Sequence, residues 1–166
     1  ALLDERLTLA RPGQRTPQPR HQTLQATLDW SYQLLDDGER QVLCQLPVFV
    51  GDFSLEAARQ VVVVPGLSQE QVIAAIASLA EKSLLAFQRS GPRLTYRLLE
   101  STRAYALSKA GPAVVDSASL RHAMYFRRRL EQIAATDGAF SRDAGRAADV
   151  ADLGKVRAAL QWCVGP

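Results

Sequence analysis

The chain has few of the residues on which metal proteins and membrane proteins depend. It has two cysteines and two histidines in 166 residues, and neither histidine has a cysteine or carboxylate partner at metal-ligand spacing. We therefore expect no metal site, and we interpret Cys44 and Cys163 as reduced packing residues, as is usual in the cytosol. No apolar run approaches the ~20 residues that a membrane-spanning helix needs. The sequence thus predicts a cytoplasmic protein without membrane contact.

Motifs for catalysis are also missing. The one Gly-Lys pair, Gly154-Lys155, is followed by valine, whereas a phosphate-binding loop needs serine or threonine there. There is no Gly-x-Ser-x-Gly elbow and no paired-carboxylate cleft. The acidic residues at 36–39 suit a helix start, where carboxylates interact favourably with the helix dipole. We expect this chain to have no enzymatic activity and to hold no cofactor of its own.

The most informative segment is residues 84–106. Apolar and polar residues alternate in LTYRL (94–98), which predicts a strand with one apolar face. The preceding Ser90-Gly91-Pro92 is typical of a tight turn. A helix from Ser68 to Lys82 leads into this hairpin, and Ser68 and Gln71 have the spacing of a capping box. Helices followed by one β-hairpin wing predict a winged helix.

The remaining apolar patterns predict a mainly α chain in three parts. Residues 1–20 are rich in proline and read as a linker, residues 21–111 as a winged-helix domain, and residues 112–166 as the start of a helical repeat-like domain. Helices are expected from Thr23 to Leu35 and at 39–46, 54–62, 68–82, 100–110, 117–135 and 152–164. The last two would form an antiparallel pair. In the helix at 117–135 we expect an apolar stripe through Leu120, Ala123, Phe126 or Arg127, Leu130 and Ile133. Trp30 and Trp162 are expected in the core.

Five segments, in this order and spacing, carry a resemblance to a known family. They are RHQTLQATLDWSYQLL (20–35), LPVFVGDFSLEAA (46–58), LAEKSLL (79–85), YRLLESTRAYAL (96–107) and RHAMYF (121–126). Together they resemble the region that follows the nucleotide-binding domain in bacterial STAND ATPases, the signal-transduction ATPases with numerous domains. More narrowly, the segments resemble predicted-ATPase transcriptional regulators with an NB-ARC-type motor. It covers residues 20–165 and implies a winged helix followed by a tetratricopeptide-like helical array.

The resemblance implies a regulatory role. It places a phosphate-binding loop upstream of Ala1, in a domain of the parent protein that binds ATP or ADP, with the winged helix as a latch that responds to nucleotide state. The implied partner is that upstream domain, and self-association of the parent is a further expectation. In related apoptotic and plant immune receptors a Met-His-Asp motif senses the nucleotide. It aligns with Leu98-Leu99-Glu100, so that leucine replaces the histidine.

Candidate interdomain or nucleotide-sensing residues are therefore Arg20, His21, Leu99, Glu100 and Arg103. All of them except Leu99 also have a simpler interpretation. Arg20 and His21 suit a solvated linker, Glu100 suits the first turn of a helix, and Arg103 can pair with Glu100 across one helical turn. The residues alone leave these alternatives open.

A DNA-binding winged helix is the alternative function. The helix before the wing would enter the major groove, where Arg, Lys, Asn or Gln reads the bases. The polar residues of this helix include Glu70, Glu81 and one lysine, Lys82, and carboxylates are repelled by phosphates. Arg89, Arg93 and Arg97 make the wing more basic, and they are the candidates for contact with a DNA backbone. We expect docking within the parent protein rather than DNA contact.

Overall fold

The computed structural model describes residues 19–90 and 93–136, with side chains at 23–89 and 93–132. The helices are α1 Pro19–Gln33, α2 Asp37–Gln45, α3 Leu55–Val61, α4 Gln69–Glu81, α5 Glu100–Lys109 and α6 Pro112–Thr136, and a short 3-10 helix covers Leu46–Val48. The strands are β1 Phe53–Ser54, β2 Ala86–Ser90 and β3 Arg93–Arg97. No helix in this part of the chain is long and apolar enough to cross a membrane. The linker at 1–18, the turn residues Gly91 and Pro92, the helix expected at 152–164, Cys163 and Trp162 lie outside the described residues.

The three strands form one antiparallel sheet in the order β1-β3-β2. The β2–β3 hairpin is the wing that the alternation at 94–98 predicted. The sequence analysis missed β1, because a strand of two residues is too short to show alternation. In the sheet Phe53 of β1 is opposite Tyr96 of β3, and their rings stack at 6.1 Å. Three helices with a short strand among them, followed by a hairpin, make up a winged helix, which confirms the predicted fold class.

Local capping sets where the central helices begin. The Ser68 hydroxyl accepts a hydrogen bond from the backbone N–H of Gln71, and the side-chain oxygen of Gln71 accepts one from the backbone N–H of Ser68, which confirms the predicted capping box. Asp36 and Glu39 form a second capping box at the start of α2. Ser54 caps α3 through the N–H of Ala57. The first helix begins earlier than expected, since α1 starts at Pro19, four residues before Thr23. Proline suits the first turn of a helix, where its missing N–H costs nothing.

The core lies between α2, α3, α4 and the base of the wing. Its largest fully buried side chains include Phe49, Phe53, Leu43, Leu46, Ile76 and Leu79. Phe49 and Phe53 stack with ring centres 4.6 Å apart. The expectation that Trp30 belongs to this core is wrong, since 64% of its surface is exposed. Leu28 and Tyr32 contact the core instead, because helical geometry brings a different side of α1 against it.

The last helix packs on the winged helix through residues spaced one turn apart between 118 and 126. It begins at Pro112 rather than at residue 117. Its buried side chains are Ala118, His122 and Phe126, whereas Leu120 and Leu130 of the expected stripe are exposed. The His122 ring lies 5.1 Å from the Phe49 ring and 4.7 Å from the Phe126 ring. Contact with the body of the winged helix therefore decides which side of α6 is buried, and this side is not the most apolar one. The division of the chain at residue 111 stays a prediction.

Candidate functional site

The outer face of α4 is the surface that a DNA-binding winged helix would present to the major groove. Glu70, Ala74, Ala77 and Glu81 lie along one exposed stripe at spacings of three and four residues. The opposite side of the helix, with Val72, Ile76 and Leu79, is buried in the core. The stripe therefore offers two methyl groups between two carboxylates. We call these four residues the α4 outer face.

Polar side chains at the start of α4 are engaged within the protein. The side-chain oxygen of Gln69 accepts a hydrogen bond of 2.8 Å from Arg59 of α3, and Arg59 also pairs with Glu56 at 3.3 Å. Gln71 closes the capping box. The guanidinium of Arg59, which contacts the first turn of α4, is thus balanced by a carboxylate, and this reduces the attraction that it would exert on a phosphate.

The lysine that ends α4 is bound to a buried carboxylate. Lys82 Nζ lies 2.6 Å from both side-chain oxygens of Glu39 in α2, and Ser78 donates a further hydrogen bond of 2.5 Å to the same group. Glu39 is 5% exposed. An ammonium group used in this way joins α4 to α2 and is a poor candidate for phosphate contact.

The environment of Glu39 favours its charged form. Burial by itself raises the pKa of Glu39, but hydrogen bonds from Lys82, Ser78 and the backbone of Asp36 outweigh this effect, so that its pKa is lowered. The carboxylate is therefore ionised at neutral pH and holds the ends of two helices together.

The three arginines of the wing do not share one face. Directly opposed residues of an antiparallel pair lie on the same side of the sheet, and neighbours along a strand alternate. Arg89 is opposite Leu94, whereas Arg93 and Arg97 are opposite Ser90 and Ala86. Arg89 thus lies on one face, and Arg93 and Arg97 lie on the other, where Arg97 approaches Asp52 at 3.8 Å.

The face that carries Arg89 also exposes apolar side chains. Phe87 is 65% exposed and Leu94 41% exposed. Any contact of the wing with a DNA backbone would therefore involve Arg93 and Arg97 as a pair, because Arg89 lies on the other face of the sheet.

The candidate sensing residues at the start of α5 are held by the winged helix itself. Leu99 occupies the N-cap position and is 48% exposed. Glu100 lies 3.8 Å from Arg103, which confirms the ion pair across one turn. Arg103 also donates a hydrogen bond of 2.9 Å to the carbonyl of Pro47. Arg103 thus fixes α5 to the 3-10 helix. Arg20 and His21 lie in the first turn of α1, and their side chains are outside the described part.

A polar cluster that the sequence analysis missed joins α6 to the body of the domain. Gln45 of α2 is 5% exposed and exchanges hydrogen bonds of 2.9 and 3.1 Å with the backbone of Val63. Arg121 of α6 donates bonds of 2.7 Å to Gln45 and to the carbonyl of Val61. The signal in the sequence was RHAMYF (121–126), whose Arg121, His122, Tyr125 and Phe126 all contact the body.

Comparison with known proteins agrees with this architecture. Residues 35–109 match the family model of the winged helix-turn-helix domain. This range runs from Leu35, one residue before the capping box of α2, to Lys109 at the end of α5. Fold and match together define this part of the chain as a winged helix-turn-helix domain.

Relatives of the chain occur in mycobacteria. Proteins of Mycobacterium tuberculosis and Mycobacterium bovis named "Putative HTH-type transcriptional regulator" are 34% identical to it over 161 residues, which is 96% of this chain. An uncharacterized protein of Mycobacterium tuberculosis is 36% identical over 116 residues, which is 67% of this chain and 28% of that protein. The chain spans 18% of the length of the named regulators.

Proposed function

We propose that this chain is a non-catalytic regulatory module of a transcriptional regulator, and that its winged helix docks on protein rather than reading DNA. The likeness to mycobacterial proteins named as regulators supports the general role. The α4 outer face supports the mode of action, and it is the observation that carries the proposal. In the position of a recognition helix, α4 presents alanines between carboxylates where a DNA reader needs donors and positive charge.

The more specific form of the proposal is a latch that responds to nucleotide state in a STAND ATPase. It is supported by the resemblance of five ordered segments to the region that follows an NB-ARC-type motor. In this form the parent protein binds ATP or ADP in an upstream domain, and the winged helix packs on that domain in the inactive, ADP-bound state. The side chain of Leu99 cannot donate a hydrogen bond to a phosphate. In this form of the proposal, contact between the surfaces of the winged helix and the upstream domain therefore stabilises the inactive state.

The charges of the α4 outer face define the surface that it would meet. Ala74 and Ala77 allow close approach of a backbone or an apolar side chain, because their side chains are short. Glu70 and Glu81 lie at the two ends of the stripe and favour a partner with basic groups about three helical turns apart. A DNA duplex is negatively charged and would be repelled by these two carboxylates.

The experiment uses the full-length parent protein loaded with a fluorescent ADP analogue. Ala77→Arg places a long cation in the middle of the proposed contact. We expect it to accelerate ADP release by about tenfold, which corresponds to roughly 1.4 kcal/mol of lost contact. Leu130→Arg is the matched control, since it adds the same charge at a 40% exposed position on α6. Its release rate should equal that of the wild type.

Two results would contradict the latch. A parent protein that binds neither ADP nor ATP would exclude the nucleotide mechanism and leave only the docking role. Equal release rates in Ala77→Arg and wild type would show that the α4 outer face is not the contact surface.

DNA contact through the wing is the second candidate function, favoured by the exposed pair Arg93 and Arg97. Two arginines on one face can contact phosphates without reading bases. Such binding would be weak, independent of sequence, and lost in the double variant Arg93→Gln and Arg97→Gln.

A further inference from the structure

A cleft with a volume of about 560 Å³ lies at the junction of α2, α5 and the start of α6. Its walls include Tyr32, Arg40, Val63, Lys109, Val114 and Arg121. More of its lining surface is apolar than polar, and three of its side chains are cationic. Of the described residues that line it, none is aspartate or glutamate.

Two of the cations are brought together on one aromatic ring. The guanidinium carbon of Arg40 lies 5.5 Å from the centre of the Tyr32 ring, and Lys109 Nζ lies 5.6 Å from the same centre. Their carboxylate partners, Asp37 and Asp29, are both 3.2 Å away and lie outside the lining of the cleft. Because each is paired with a carboxylate at this distance, as Arg59 is, the two cations raise the potential inside the cleft only in part.

Among the described residues, the hydrogen-bond partners of the third cation, Arg121, are neutral groups. In the described part of the chain, Arg121 donates to the side-chain oxygen of Gln45 and to the carbonyl of Val61. Burial lowers the pKa of Arg121, because its charge has lost water without meeting a carboxylate. An anion in the cleft would supply the missing countercharge.

The start of α6 adds to this potential. Ala113 and Val114 of its first turn line the cleft, and the N-terminal end of a helix carries a partial positive charge. Val63, Pro65 and Val114 supply an apolar wall beside the charged groups. The cleft thus combines positive charge on one side with an apolar surface on the other.

We propose that this cleft binds a small organic anion whose carboxylate or phosphate faces Arg40, Lys109 and Arg121. The apolar body of the ligand would lie on Val63 and Val114. Because the ligand would contact α2, α5 and α6 at once, its binding would fix the first turn of α6 on the winged helix. This site is separate from the α4 outer face and does not depend on the docking proposal.

The test is a titration of the ¹⁵N-labelled 166-residue chain with phenyl phosphate, benzoate and inorganic phosphate, at constant ionic strength. We expect at least one of the two aromatic anions to bind saturably and to shift the amide signals of Val63, Ala113 and Val114. Whichever of the two binds more tightly identifies the anionic group. Inorganic phosphate should bind at least about tenfold more weakly, because it lacks the apolar body.

A pair of variants places the ligand in the cleft. Val114→Glu puts a carboxylate on its wall at a 39% exposed position, and Leu120→Glu adds the same charge to α6 outside the lining. Like-charge repulsion should weaken aromatic-anion binding by about tenfold or more in Val114→Glu, with Leu120→Glu within about twofold of the wild type. Both sites are exposed, so both variants should fold, as amide spectra in the absence of ligand will show.

The proposal is overturned if neither aromatic anion binds saturably, if inorganic phosphate binds as tightly as both, or if the two glutamate variants weaken binding equally. The first result removes the site. The second and third would show only general attraction of anions to a basic chain.

Discussion

At the scale of single residues, the contact of Glu39 with Lys82 connects two helices through a buried carboxylate. It joins the first turn of α2 to the end of α4, more than forty residues later in the chain. The sequence analysis interpreted the acidic residues at 36–39 as a helix start, which the capping box of Asp36 and Glu39 confirms. It could not predict that Glu39 also binds Lys82, because a contact between distant residues depends on how the two helices pack.

Glu39→Gln should destabilise the domain by about 1–3 kcal/mol at neutral pH, because it leaves Lys82 without its carboxylate and weakens the cap. The half-exposed position of Lys82 keeps the loss at this level. Urea unfolding of the 166-residue chain measures the difference. Glu81→Gln is the matched control, since it removes the same charge from an exposed position on α4 and should change stability by less than about 0.5 kcal/mol.

The effect of Glu39→Gln should also depend on pH. The pKa of Glu39 in the folded state lies below its ordinary value of 4.5, so its ionisation stabilises the fold fully above that value. The stabilisation is lost as the pH falls through the folded-state pKa. Wild type and variant should therefore differ at pH above 4.5 and converge in more acidic solution. A difference that grows on acidification would contradict this assignment.

At the scale of elements, the sequence predicted what depends on local patterns and missed what depends on tertiary contact. The wing and the capping box at Ser68 follow from alternation and capping chemistry, and both are present. The two-residue strand β1 exists only because β3 pairs with it. The burial of His122 and the exposure of Leu120 in α6 follow from the shape of the surface that the helix meets, which its own periodicity does not contain.

Phe126→Ala tests whether α6 is part of the folded body of the winged helix. Phe126 is 3% exposed and belongs to the core cluster, so its truncation should cost about 3–5 kcal/mol. Leu130→Ala, at a 40% exposed position on the same helix, should cost less than about 1 kcal/mol. Both values come from urea unfolding followed by circular dichroism. Similar small losses in the two variants would show that α6 contributes little to the stability of the body.

At the scale of the whole molecule, the net charge of +3 is a poor guide to function, because the positive groups discussed above, all in the described part of the chain, are divided among separate places. Arg93 and Arg97 lie on one face of the wing, Arg89 lies on the other, and Lys82 is bound to Glu39. Three more cations surround the cleft at the start of α6. The winged helix therefore has the architecture of a DNA reader, but α4, the helix in the recognition position, has no continuous basic surface.

The sequence supported this conclusion in part. The balance of carboxylates and lysine in residues 68–82 indicated that α4 is unsuited to a duplex. The structure adds which residues of α4 are exposed: the stripe of Glu70, Ala74, Ala77 and Glu81 faces outward. The separation of the wing arginines follows from the register in which β2 pairs with β3, and composition alone does not reveal that register.

The most direct test of this account is a fluorescence-anisotropy titration of a mixed-sequence duplex with the 166-residue chain, at about 50 mM and about 200 mM salt. We predict no submicromolar binding at either salt concentration. Any weak binding at low salt should vanish in Arg93→Gln/Arg97→Gln and remain unchanged in Ala77→Gln. Submicromolar binding that falls steeply with salt and is altered by Ala77→Gln would contradict the account, because it would place α4 in the major groove.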